Sequence, residues 1–98
     1  MYLGIVATNA SAEDHVLGLA YAAVARGWQC RCFLTDTGVR LLHSTPLLEL
    51  ARAGKVRVDV CEHSWEHYSG GGAPDGVTMT GQIKNAELAN ECDKVIVL

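Results

Sequence analysis

No apolar run in this chain approaches the roughly 20 residues that a membrane-spanning helix needs, so no membrane partner is expected. Basic charge is also scarce. Eight Lys and Arg stand against eleven Asp and Glu, for a net charge of −3. The basic residues are scattered without a stripe, whereas nucleic-acid binding calls for a basic surface; no nucleic acid is expected as a partner. There is no CxxC pair. The four cysteines fall as CxC (Cys30, Cys32), then Cys61, then Cys92, a spacing that fits neither a thioredoxin motif nor a zinc ribbon. There is no GxGxxG or GK[ST] phosphate loop and no nucleophile elbow. The opening MYLGIVATNA lacks the basic and long apolar regions of a signal peptide, so a cytoplasmic location is expected. In that compartment, cysteines are free thiols, catalytic groups or ligands more often than disulfides.

What the chain does have is the composition of a soluble globular protein: 49% hydrophobic and 19% charged residues over 98 positions. That length suits a single domain, 1–98, of a size at which oligomerisation often supplements the core. Tyr2 to Ala7 is apolar on both faces, as in a strand inside a parallel sheet. NASAED follows, with Ser11 and Asp14 spaced as a capping box. A helix is expected from about Ala12 to Arg26, with Val16, Leu19, Ala20, Ala23 and Val24 on one face and Gly27 as its stop. Trp28 to Leu34 reads as a second strand whose period of two puts Trp28, Cys30, Cys32 and Leu34 on one apolar face. Both CxC sulfurs then act as small buried hydrophobes.

Gly38 permits a turn, and Val39, Leu41 and Leu42 suggest a short buried helical turn. Thr45 is expected to cap a second helix with Pro46 at its first position and Gly54 at its end. Val56 to Cys61 is a third strand. Its polar face (Arg57, Asp59, Cys61) suggests a place nearer the sheet edge than the first strand. His63 to Gly76 reads as a loop. A third helix is expected from about Thr80 to Glu91 with Ile83, Ala86 and Ala89 inward, then a last strand from Val95 to Leu98. Strands alternating with helices predict an α/β fold: a parallel sheet with helices on both faces and right-handed crossovers.

Three segments together carry a family resemblance: LGIVATNASAEDHVLGLAYAAVARG, CFLTDTGVRLL and VRVDVCEHS. In that order the chain resembles the DsrE/DsrF-like, TusD-related sulfur-relay family over nearly its whole length, with GVRLL the most specific part. The resemblance implies a three-layer α/β/α domain with a parallel sheet of four to five strands and the last strand beside the first. The fifth strand has room only as a short one near Val77 to Met79. It also implies a homo-oligomer (trimer or hexamer), and a cysteine, here Cys61, that carries sulfane sulfur as a persulfide with no bound cofactor. Its partners are then a sulfur donor and an acceptor protein. After Cys61 the chain departs from the relay pattern and reads EHSWEHYSGGG.

Cys61 supports three readings from the residues themselves. As a nucleophile it ends a strand where parallel sheets place their ligand crevices, with His63 close by to tune the thiol. As a ligand it belongs to C-x-H-x₃-H, with His63 and His67 suited to zinc or copper. As a plain structural residue it closes a strand before a solvent loop that Trp65 and Tyr68 anchor. Asn9, Ser11, Asp36 and Thr37 are expected at the same sheet end as ligand-binding rim residues, with Trp65 and His67. The leading expectation is a sulfur carrier or relay protein acting through Cys61 and His63, without a metal. The alternative is a non-enzymatic oligomeric binding or regulatory module holding a small ligand or metal near Cys61, His63 and His67.

Overall fold

A computed structural model describes residues 1–98. Five strands form: β1 (Tyr2–Ala7), β2 (Gln29–Leu34), β3 (Arg57–Cys61), β4 (Val77–Thr80) and β5 (Lys94–Val97). All neighbours pair in parallel, in the order β4-β3-β2-β1-β5. The helices are α1 (Glu13–Ala25), α2 (Thr45–Arg52), α3 (Glu62–Tyr68) and α4 (Ile83–Glu91), and 3-10 segments lie at Ala10–Ala12 and Asp36–His43. This is the expected three-layer parallel α/β fold, with the last strand beside the first. The fifth strand is present, and it is the short edge strand β4, whose VTMT adds to β3 alone.

The two faces of the sheet are unlike. On one, Leu3, Ile5, Ala7, Cys30, Cys32, Leu34, Val58 and Val60 pack against Val16, Ala20 and Ala23 of α1 and Leu47 and Leu50 of α2. Period-two side chains meeting helical stripes is what the apolar spacing predicts. On the other face lie Val6, Phe33 and Cys61, covered by Leu88 of α4 and by Cys92, which directly follows that helix. α4 comes so close to β1 that a Cβ on Gly4 would lie 2.6 Å from Leu88 and 2.8 Å from Cys92. Gly38 is required for a similar reason, since a Cβ there would collide with the Ala7 carbonyl. That contact seats the GVRLL segment, with Val39, Leu41 and Leu42 buried, over the carboxyl end of β1.

Several local expectations are corrected. Residues 62–68 are a helix and not a loop. Its apolar stripe is too short to read as one, because only Trp65 among its large apolar residues is buried. Trp65 goes into the core and its ring N–H donates to the Gly71 carbonyl at 3.1 Å. Gly70, at φ 74°, stops the helix by donating to the Trp65 carbonyl at 2.6 Å. The capping box does not form; Asn9 instead accepts from the Ser11 N–H at 2.9 Å. α2 begins one residue earlier than expected, so Ser44 holds the cap position and Pro46 follows Thr45.

The polar face of β3 has a cause other than nearness to an edge, since β1 and β3 are each one strand in. Asp59 is buried, and so is Arg31 on β2. They pair at 3.0 Å, while Arg31 also meets Glu91 at 2.8 Å and Arg57 meets Asp59 at 3.2 Å. Charges taken out of water survive only when paired. α4 therefore turns Lys84, Glu87 and Glu91 toward this cluster around Leu88. Ile83, expected inward, is 74% exposed, and Ala86 and Ala89 face outward with it.

Candidate functional site

Cys61 is the last residue of β3 and the residue before α3, so its side chain leaves the sheet at the carboxyl end. Only 5% of the residue is exposed. It lines a cavity of about 340 Å³ together with Glu62, His63, Glu66, Thr80, Gly81 and Gln82. A second, of about 190 Å³, is lined by Asp36, His63, Ser64, His67 and Tyr68. His63 borders both.

A polar cluster surrounds the sulfur. The Ser64 hydroxyl accepts the Asp36 N–H at 3.0 Å and lies 3.4 Å from the Thr35 hydroxyl. The Gln82 amide donates to the Thr35 hydroxyl at 3.2 Å. Asp36 is held at φ 50°, a left-handed conformation that costs a non-glycine residue about 1 kcal/mol and that aspartate tolerates better than most. That turn aims its N–H at Ser64, so the local backbone fixes the hydroxyl beside Cys61.

Burial pushes the Cys61 thiol up, but the Ser64 hydroxyl and N–H, Gln82 and Thr35 act against it and prevail. The thiol is held below its ordinary value, because donors favour the thiolate. The other cysteines differ. A hydrogen bond with Cys30, together with burial, drives Cys32 far up, and burial raises Cys92. The same bond lowers Cys30, yet Cys30 is enclosed in the apolar core and lines no cavity. Cys61 alone combines a lowered thiol with a cavity wall.

The expected site residues separate into groups. Cys61 and His63 share the larger cavity, and Asp36, His63 and His67 share the smaller one, where the His67 ring meets Tyr68 edge-on at 4.6 Å. Trp65 is a core anchor. Asn9 and Ser11 bond to each other beyond β1, and Thr37 accepts the Ala10 N–H at 3.2 Å, tying that turn to the 3-10 segment. These three line neither cavity. The strand order explains the split. The connections change face between β1 and β5, where Thr8 donates to Leu98, whereas Cys61 stands beyond β2 on the other side. Thr35, Ser64 and Gln82 were not foreseen. Thr35 directly follows β2, next to β3, and this was the one available signal; Gln82 arrives from the turn before α4. His15 is exposed on the first turn of α1. No three His, Cys, Asp or Glu side chains converge as a metal-binding set, so Cys61, His63 and His67 do not form the ligand cluster their spacing allows.

No helix is long and apolar enough to cross a membrane. No protein-family model matches the chain, and no curated protein does. Among solved structures, the crystal structure of the ychN protein from E. coli is similar over 100% of both chains, with a TM-score of 0.71 and 17% identity. That protein has the DsrE-like fold, and the likeness shows that this chain has the same one.

Proposed function

We propose that this protein is a sulfur carrier that holds sulfane sulfur as a persulfide on Cys61. The observation that carries the reading is a buried cysteine at the carboxyl end of β3 that lines a cavity, beside the cluster of Ser64, Thr35 and Gln82, which hold its thiol down. The DsrE-like fold supports it.

In loading, the Cys61 thiolate attacks the outer sulfur of a donor R–S–SH. The new bond joins Cys61 Sγ to that sulfur, the donor's S–S bond breaks, and RS⁻ leaves with the electron pair. In unloading, an acceptor thiolate attacks the same outer sulfur and Cys61 leaves as thiolate. A lowered thiol serves both steps: more of it is ionised for attack, and it leaves faster. The exchange needs no cofactor and no external oxidant. In this reading His63, which lines both cavities, exchanges protons with the incoming group. A homo-oligomer is part of this reading, supported by the exposed β5 edge.

The test is intact mass after incubation with excess polysulfide. Wild-type protein is expected to gain one sulfur, about 32 Da, removable by dithiothreitol. Cys61→Ser is expected to gain none, and an undiminished gain in that variant counts against Cys61 as the carrier.

A further inference from the structure

The cavity that opens onto Cys61 has three ionisable neighbours in its wall, Glu62, His63 and Glu66; Thr80, Gly81 and Gln82 are neutral. Neither glutamate meets a cation. The ion pairs of this molecule gather around Arg31, Arg57 and Lys84, with Asp59, Glu87 and Glu91 as their acids. Glu62 and Glu66 are exposed and stand one turn apart on α3, so their fields add at the cavity mouth. A reacting sulfur reached past two uncompensated carboxylates meets a cationic approach more readily than an anionic one.

We propose that Glu62 and Glu66 select the exchange partner of Cys61, and that this partner is a protein segment with lysine or arginine flanking its reacting cysteine. Anionic small sulfur compounds are disfavoured, and load the protein only in excess. The inference rests on Cys61 being the exchanging thiol and adds the chemistry of what it exchanges with.

Two cysteine peptides of otherwise identical sequence, one flanked by lysines and one by glutamates, are each activated as the 2-pyridyl disulfide. Cys61 thiolate attacks the peptide sulfur, a mixed disulfide forms, and pyridine-2-thione leaves with the electron pair and is followed by absorbance. Rates are corrected for Cys61→Ser background and divided by the rate of each peptide with 2-mercaptoethanol.

The lysine peptide is expected to react about tenfold faster at low salt. The preference is expected to shrink at about 0.5 M salt, because exposed charges are screened. In Glu62→Gln/Glu66→Gln the ratio is expected to fall close to one, with release retained. A wild-type ratio near one overturns the proposal, as does a ratio unchanged in the double variant or release no greater than the Cys61→Ser background. The readout needs a thiolate but no sulfane sulfur. A protein with the charge preference that takes up no sulfur overturns the carrier reading alone. One that takes up sulfur without the preference overturns this proposal alone.

Discussion

At the scale of single residues, the decisive feature is the contest over the Cys61 thiol between burial, which raises it, and the neighbouring Ser64, Gln82 and Thr35, which lower it. Ser64 supplies two of the opposing groups, its hydroxyl and its N–H. Removing the hydroxyl in Ser64→Ala leaves burial less opposed, so the thiol moves up toward its ordinary value and less thiolate is present at neutral pH. Alkylation of Cys61 followed against pH is expected to show its midpoint shifted upward, with a several-fold lower rate at pH 7 and an unchanged plateau at high pH. An unmoved midpoint would mean that Ser64 does not tune the sulfur. Cys61 itself was legible, because VRVDVC alternates up to a cysteine at a strand's carboxyl end. Ser64 was not, because its position depends on 62–68 being helical, and that helix is held by one buried tryptophan and a glycine stop.

Among the elements, α4 was legible as a helix but not in the face it turns inward. Its apolar residues Ile83, Ala86 and Ala89 suggest an inner face, yet they point outward, since the surface beneath carries Arg31 and Asp59. Hydrophobic periodicity locates a buried face only where the partner surface is apolar. The same cluster fastens α4 to the sheet, and its partners are unequal. Asp59 has a side chain 1% exposed against Arg31 at 0%, while Glu91 is 46% exposed. Removing Asp59 leaves a buried guanidinium with only peripheral acids. Asp59→Ala is expected to destabilise the fold by about 3 kcal/mol in urea unfolding. Glu91→Ala is expected to cost well under half as much, since its partner keeps Asp59. Equal costs would show that the pairs matter by contact and not by burial. The β1 to β3 framework was readable throughout, because its strands meet apolar helices on at least one face.

For the whole molecule, the asymmetric covering of the sheet matters most. α1 and α2 close one side, while α4 alone serves the other and leaves Val95 40% and Val97 65% exposed on the outermost strand. A bare apolar edge of this kind invites pairing with another chain. Light scattering at micromolar concentration is expected to report a trimer or larger, and Val97→Lys is expected to shift it toward monomer. A wild-type monomer would leave that edge without a partner. The last strand's apolar faces were readable in the sequence and its place beside β1 was implied by the family resemblance, whereas the reach of α4 across the sheet depends on tertiary contacts.

Cys61 is one of four cysteines, and tryptic cleavage separates all four. Tryptic cleavage places Cys30 in residues 27–31, Cys32 in 32–40, Cys61 in 58–84 and Cys92 in 85–94. Native protein is loaded with polysulfide, capped with iodoacetamide and digested, and each peptide is weighed. The extra sulfur of about 32 Da is expected on the peptide 58–84 and on no other. Extra sulfur on the Cys92 peptide with none on 58–84, or on no peptide at all, would contradict the assignment of Cys61 as the carrier.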